Sequence, residues 1–281
     1  MKLSKIFALL LALCLISSAA CAATFTDAHG NVIELDDSLE AYAAVTLVGA
    51  DNAARQGETN LGDLWADALR WFAVSGEINA AFDEDDVKAG NDRIAVDADH
   101  VVALWNGGNL RADIAEGTFG AEALAEVLPF PNKVAVVYMT GAQLLETLEA
   151  ASQGLPYTAE TADACASLMQ VSGLTYTVDT AKAYDALEAY GDHWFTAGSV
   201  SRVRIDDVNG QPFDAEATYA VVTSNANFNG MDSSYVFKTA AEENELSAVT
   251  VAVVRDVVFR FIAAELNHQV GEAYAAPQGR L

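Results

Sequence analysis

The sequence predicts an α+β domain, a mixed β-sheet packed with helices. Three observations carry that reading. Val101 to Trp105 is a continuous apolar run of strand length, as expected for a strand buried on both faces. Leu61, Leu64, Trp65, Ala68, Leu69 and Phe72 recur at the spacing that places apolar side chains on one helical face. Strand-like and helix-like segments then follow one another without the regular alternation that builds a fully parallel sheet. With 281 residues, 52% of them apolar and 20% charged, the chain can bury a substantial core.

Taken in order, the chain opens with Lys2 and Lys5, an apolar run from Ile6 to Ile16, and small residues ending in Ala20-Cys21-Ala22. That pattern predicts a signal peptide over residues 1–22, cleavage before Ala23, and export to the periplasm or the extracellular space. The run is shorter than a confident membrane span, so no span is expected after cleavage. Acylation of Cys21 is the minor alternative, weakened by Ser18, because such sites usually carry Leu three positions before the cysteine. Residues 23–44 form an N-terminal extension, with a hairpin over Phe25 to Leu35 turning at Ala28 to Asn31. Residues 45–281 form the main domain.

Within that domain the apolar face from Leu61 to Phe72 is a helix capped by Thr59 or Asn60. Asp83 to Asp86 is a solvated acidic loop without the alternating ligands of a calcium site. Gly120 to Leu128 is a helix stopped by Pro129, and Lys133 to Met139 is a strand. Thr140 and Gln143 have capping-box spacing for a helix reaching about Ala150. Val171 to Asp179, Val200 to Val208 and Thr218 to Thr223 are strands, the last two separated by an Asn209-Gly210 turn. Val251 to Asn267 closes the chain as a long amphipathic helix.

Charge and motif absences exclude several functions. Fifteen Lys and Arg stand against 40 Asp and Glu, a net charge of −25, which repels nucleic acid and anionic membranes. The four histidines are scattered, with neither HExxH nor Cys-x-x-Cys spacing, so no metal site is expected. The phosphate loop ending in Lys-Ser or Lys-Thr, GxGxxG and the Gly-x-Ser-x-Gly elbow are all missing, so neither a cofactor nor a catalytic residue is expected in this chain. Cys165, the single cysteine after residue 22, has no neighbouring His or second Cys and is expected to be an unpaired thiol.

Three segments carry positive information. Arg55-Gln-Gly-Glu58-Thr-Asn60-Leu-Gly62-Asp-Leu64 leads into the first long helix. Trp105-Asn106-Gly107-Gly108-Asn109-Leu110-Arg111 is followed by Val127-Leu128-Pro129-Phe130-Pro131-Asn132. Leu168-Met169-Gln170-Val171-Ser172-Gly173 comes next, then Gly230-Met231-Asp232-Ser233, and the sequence closes on Gly279-Arg280-Leu281. In this order, over Val45 to Leu281, they resemble the C-terminal, substrate-binding domain of the 5′-nucleotidase and UDP-sugar hydrolase family.

That resemblance implies a nucleotide or nucleoside-like ligand. By it, Arg55 and Arg111 clamp a phosphate, Asn106 hydrogen-bonds the base, Gly107 and Gly108 allow a tight turn beside the ligand, Phe130 stacks on the base, and Asp232 accepts from the ribose hydroxyls. Ala226 stands where the family carries a second stacking ring, and Met231 and Ser233 replace two glycines of its aspartate turn. The family's hydrolysis is performed by a preceding metallophosphatase domain that uses two divalent metals. About 30 residues separate the expected signal peptide from Arg55, so that domain and its metals are expected to be absent from this chain. The reading that follows is an exported, stand-alone binding domain. It has two alternatives: the substrate-binding part of a hydrolase completed by a separate metallophosphatase subunit, and a degenerate interaction module.

Overall fold

The computed structural model describes residues 23–26, 32–35, 40–82 and 94–281. The expected signal peptide with Cys21, the turn of the N-terminal hairpin, His29 and the acidic run from Asp83 to Asp86 lie outside the described residues. Strands β1 (Ala23–Thr26) and β2 (Val32–Leu35) pair antiparallel, as the hairpin reading anticipates.

The core is organised by a five-stranded mixed sheet. Its members are β4 (Val101–Asn106), β6 (Lys133–Thr140), β7 (Met169–Ser172), β12 (Thr218–Ser224) and β13 (Ala248–Val253), in the order β13-β6-β12-β4-β7. β4 and β12 run parallel, and the other neighbours are antiparallel. Every residue of β4 is buried. Alternation sends Val101, Ala103 and Trp105 to one core and Val102 and Leu104 to the other. This is why the run shows no polar alternation: both faces are covered by other elements.

On the first face lie α2 (Asn60–Val74) and α7 (Val254–Glu265). The apolar stripe of α2 supplies Leu61, Leu64, Trp65, Leu69 and Phe72, all fully buried, and Trp65 meets Trp105 at a ring separation of 6.2 Å. Thr59 caps α2, its hydroxyl accepting from the Gly62 amide at 3.0 Å. On the second face lie α4 (Gly141–Ala151) and α6 (Tyr235–Glu243), with a β8–β11 pair (Leu174–Val178 and Val203–Val208). The expected capping box of α4 is present, Thr140 Oγ1 accepting from the Gln143 amide at 3.2 Å. Outside this sandwich, β3 (Glu40–Ala43), β5 (Gly117–Gly120) and β14 (Gln269–Val270) form a small sheet. β9 (Ala186–Ala189) and β10 (Phe195–Ala197) form a separate exposed hairpin. Two short helices, α1 (Ala53–Gln56) and α5 (Asn225–Phe228), and the helix α3 (Ala121–Val127) complete the set used below.

The mixed α+β architecture is as expected, but three segments differ from the sequence reading. Val171 to Asp179 is not one strand. Gly173, at φ 81°, breaks it into β7, which pairs with β4, and β8, which pairs with β11. Asn209 and Gly210 do form a left-handed turn, at φ 51° and 75°, and Val208 bridges Gln211 across it. The flanking strands nevertheless pair elsewhere, β11 with β8 and β12 with β4 and β6. The expected helix from Val251 begins instead at Val254, because Ala248 to Val253 extends the sheet edge. Among the described residues no helix is long and apolar enough to cross a membrane.

Candidate functional site

The parallel strands β4 and β12 end side by side, and β6 begins at the same edge because it runs the other way. Three connections therefore meet there: the turn after β4, the loop between α3 and β6, and the segment after β12. Crevices beyond the carboxyl ends of parallel strands are where open sheets commonly hold ligands. Here the connections enclose an open cleft of about 420 Å³, lined by Asn109 and Arg111 from the first, Phe130, Pro131 and Asn132 from the second, and Asn225, Ala226, Asn229, Met231 and Asp232 from the third.

Each wall is fixed by backbone hydrogen bonds. Arg111 is held by its amide, which donates to Val127 O at 2.9 Å, and its Nε donates to Gly108 O. Its guanidinium carbon sits 5.7 Å from the centre of the Phe130 ring, within cation–π range. Phe130 is 44% exposed and Met231 58%, so both present apolar surface to solvent inside the cleft. Asn132 is buried, yet its Oδ1 has no hydrogen-bond partner. Helix α5 and the turn after it, Asn225 to Asp232, make a tight return: Met231 N donates to Ala226 O at 3.0 Å, and Gly230 (φ 81°) and Asp232 (φ 56°) are both left-handed. Aspartate tolerates that region better than most residues. Tyr190 on the exposed hairpin braces the turn, its hydroxyl donating to Gly230 O at 2.7 Å.

The electrostatics are those of a small, partly dehydrated charge cluster. Burial lowers the pKa of Arg111, the neighbouring Arg55 charge lowers it further, and Asp232 opposes both. Burial raises Asp232 above the usual carboxylate range, while Arg55 and Arg111 pull it down. The cleft thus concentrates one guanidinium, one carboxyl, one exposed ring and several side-chain amides within a space of small-molecule size.

The structure brings Arg111, Phe130 and Asp232 together in the cleft but not the other expected site residues. Arg55, on α1, is off the cleft wall; its Nη1 donates to Ala162 O at 2.9 Å and lies 3.9 Å from Asp163. Asn106 is buried below the turn, with its Oδ1 accepting from Asn109 Nδ2 at 2.9 Å. Asn109, Asn132, Asn225 and Asn229 are the amides that line the cleft. Gly107 and Gly108 allow close packing within the protein: a Cβ on Gly107 would overlap the Ala54 carbonyl, and one on Gly108 would lie 2.7 Å from Ala166 O.

Most remaining motif residues lock the Arg55 segment to the body. Gln170 donates to Ala54 O at 3.1 Å and Gly57 O at 3.0 Å while accepting from the Thr59 amide at 2.9 Å. Asn60 accepts from Val48 N and donates to Tyr274 O. Glu58 accepts from the amides of Gln278, Arg280 and Leu281, and Arg280 reaches Asp67 at 2.8 Å and Val171 O at 2.7 Å. Asp63 beneath them is fully buried and its pKa is pushed up to about 7 by burial, with Arg280 opposing and Glu58 adding to the shift. Among the described residues no group of three or more His, Cys, Asp or Glu converges to hold a metal ion. Cys165 is a free, buried thiol whose pKa is raised by burial.

Comparison with known proteins identifies the family and the fold. The trifunctional nucleotide phosphoesterase protein YfkN of Bacillus subtilis is 29% identical over 212 residues, covering 74% of this chain and 12% of YfkN. A solved 5′-nucleotidase precursor from Thermus thermophilus superposes with a TM-score of 0.61 at 27% identity, over 85% of this chain and 38% of that one. A putative 5′-nucleotidase from Staphylococcus aureus shares the fold, with a TM-score of 0.54 at 15% identity over 86% of this chain and 46% of that one. The chain therefore spans less than half the length of each of these proteins. The sequence model of the 5′-nucleotidase C-terminal domain matches residues 40–241, and the protein belongs to that family.

Proposed function

We propose that the cleft binds a nucleotide, a nucleoside or a related phosphorylated small molecule. The observation that carries this reading is the convergence of Arg111, the exposed Phe130 ring and Asp232 on one cleft of about 420 Å³, a volume suited to such a ligand. Phe130 offers a face for a base, where stacking contributes about 1–3 kcal/mol at comparable sites. The side-chain amides lining the cleft offer hydrogen-bonding groups to a base. Asp232 accepts from ribose hydroxyls, and Arg111 takes the phosphate through its free guanidinium nitrogens. Ala226 leaves the wall near Met231 without a second ring, so stacking is one-sided and affinity falls in roughly the micromolar to millimolar range.

In this proposal the chain supplies recognition and is not catalytic alone; hydrolysis completed by a separate metallophosphatase subunit is the alternative reading. The protein acts outside the cytoplasm after cleavage at Ala22, an assignment resting on the charged and apolar pattern of the first 22 residues. Titration calorimetry over nucleoside monophosphates, nucleosides and UDP-sugars tests the binding reading. Nucleotide binding in the stated range supports it. Absence of binding by any of these at millimolar concentration overturns it in favour of an interaction module. Metal-dependent phosphate release by the pure protein, abolished by a chelator, would overturn the non-catalytic role, and a mature mass retaining residues 1–22 would overturn export by cleavage.

A further inference from the structure

The segment 156–167, between α4 and β7, lies against Arg55 and takes one of its N–H donors. Ala162 O accepts from Arg55 Nη1 at 2.9 Å, and Asp163 Oδ1 is 3.9 Å from the same nitrogen. The other Asp163 oxygen lies 3.7 Å from Nε2 of His193, in the loop of the β9–β10 hairpin. The Arg55 side chain is 13% exposed, whereas that of Asp163 is 69% exposed. Arg55 is thus anchored by the Ala162 carbonyl with a solvated counter-charge beside it, while its charge still reaches the cleft and acts on both Arg111 and Asp232. To a guanidinium, a carboxylate oxygen and a phosphate oxygen are equivalent partners. Asp163 and an incoming phosphate therefore compete for one cation.

We infer that Asp163 is an internal counter-anion that competes with the ligand's phosphate for Arg55 and so sets how strongly the cleft prefers anionic ligands over neutral ones. The identity of the ligand rests on the nucleotide reading; the competition itself concerns any phosphate-bearing molecule. His193 makes the exchange feasible. A carboxylate released by Arg55 keeps a neighbour on its other oxygen and is not left unpartnered. The opposite role, in which Asp163 orients Arg55 for the ligand, predicts an effect of opposite sign.

The test is titration calorimetry at low salt on the whole protein and its Asp163→Asn and Asp163→Glu variants. The ligands are inorganic phosphate, the four ribonucleosides and their monophosphates. Asp163→Asn should bind phosphate and monophosphates about two- to five-fold more tightly, the range expected for an exposed ion pair. Nucleoside affinity should not change, and Asp163→Glu, which keeps the charge, should match the parent. Unchanged or weaker phosphate binding by a folded Asp163→Asn protein overturns the inference, as does an equal gain for nucleosides or absence of phosphate binding by both proteins at millimolar concentration. Failure of the nucleotide reading is separately visible: monophosphates would then bind no better than inorganic phosphate, while the gain in phosphate affinity would persist.

Discussion

Arg111 and Phe130 are partners before any ligand arrives, because the guanidinium already rests 5.7 Å over the ring. This changes what each substitution should do. If the two groups were independent, Arg111→Ala would remove only the phosphate preference, and Phe130→Ala would weaken nucleoside and nucleotide equally. With the pair in contact, Arg111→Ala frees one ring face, so nucleoside binding should hold or improve slightly while monophosphate binding falls about ten-fold, as for loss of one charge-assisted contact. Phe130→Ala leaves Arg111 without its ring and should weaken both ligand classes, the monophosphate more. The double variant should then show a coupling between the two residues above about 0.5 kcal/mol, since residues in contact are seldom additive. Additive losses measured by calorimetry would show that the ring and the guanidinium act separately.

At the scale of elements, the motifs divide into those that touch the cleft and those that brace it. Gln170 holds α1 to the start of α2 through three backbone groups. Gln170→Ala should strand all three in a buried site and lower unfolding stability by about 3 kcal/mol, measured by urea denaturation. A loss below about 1 kcal/mol would show that water replaces the side chain. The Glu58, Asp63 and Arg280 clasp adds a pH dependence. Asp63 stays protonated in the folded protein up to about 7, whereas an unfolded chain has lost that proton above about pH 4. The folded state therefore binds more protons in this window, so this group's contribution should weaken as pH rises from about 4 to 7 and level off above. Asp63→Asn should flatten the slope in urea midpoints taken across that window; identical slopes would mean Asp63 is charged throughout.

This division also explains what the sequence could and could not disclose. The α2 stripe, the buried β4 run and the α4 capping box are local patterns, and all three appear in the structure. The split at Gly173 and the separate partners of β11 and β12 depend on which strands meet across the sheet, which no local window contains. The same limit applies to the cleft. A motif shows that Asn106, Gly107 and Gly108 stand together, but not that the turn buries Asn106 and leaves Asn109 on the surface. Asn132 was within reach, two residues after Phe130 in the Pro-Phe-Pro-Asn run; its orphaned Oδ1 became visible only with the packing around it.

For the whole molecule, the governing fact is a net charge of −25 around a cleft that carries one guanidinium on its wall and another behind it. The global field repels an anionic ligand over tens of ångströms at low salt, whereas the Arg111 contact acts only at hydrogen-bond range. Salt separates the two. Raising ionic strength from about 0.01 to 0.15 M shortens the screening length from about 30 to 8 Å, which removes the long-range repulsion but leaves a partly buried contact nearly intact. The association rate of a nucleoside monophosphate should therefore rise over this interval while its dissociation rate stays nearly constant, giving tighter binding. Near 1 M the screening length approaches about 3 Å, the contact itself weakens, and affinity should fall again. A neutral nucleoside should show neither limb, because it feels neither the global field nor the guanidinium as a charge. Stopped-flow association rates across the salt series would check this. An association rate that falls from the lowest salt onward would mean that Arg111 and Arg55 make the mouth of the cleft positive enough to attract phosphate against the rest of the molecule. The counter-charge of Asp163 would then be too weak to hold Arg55 in check.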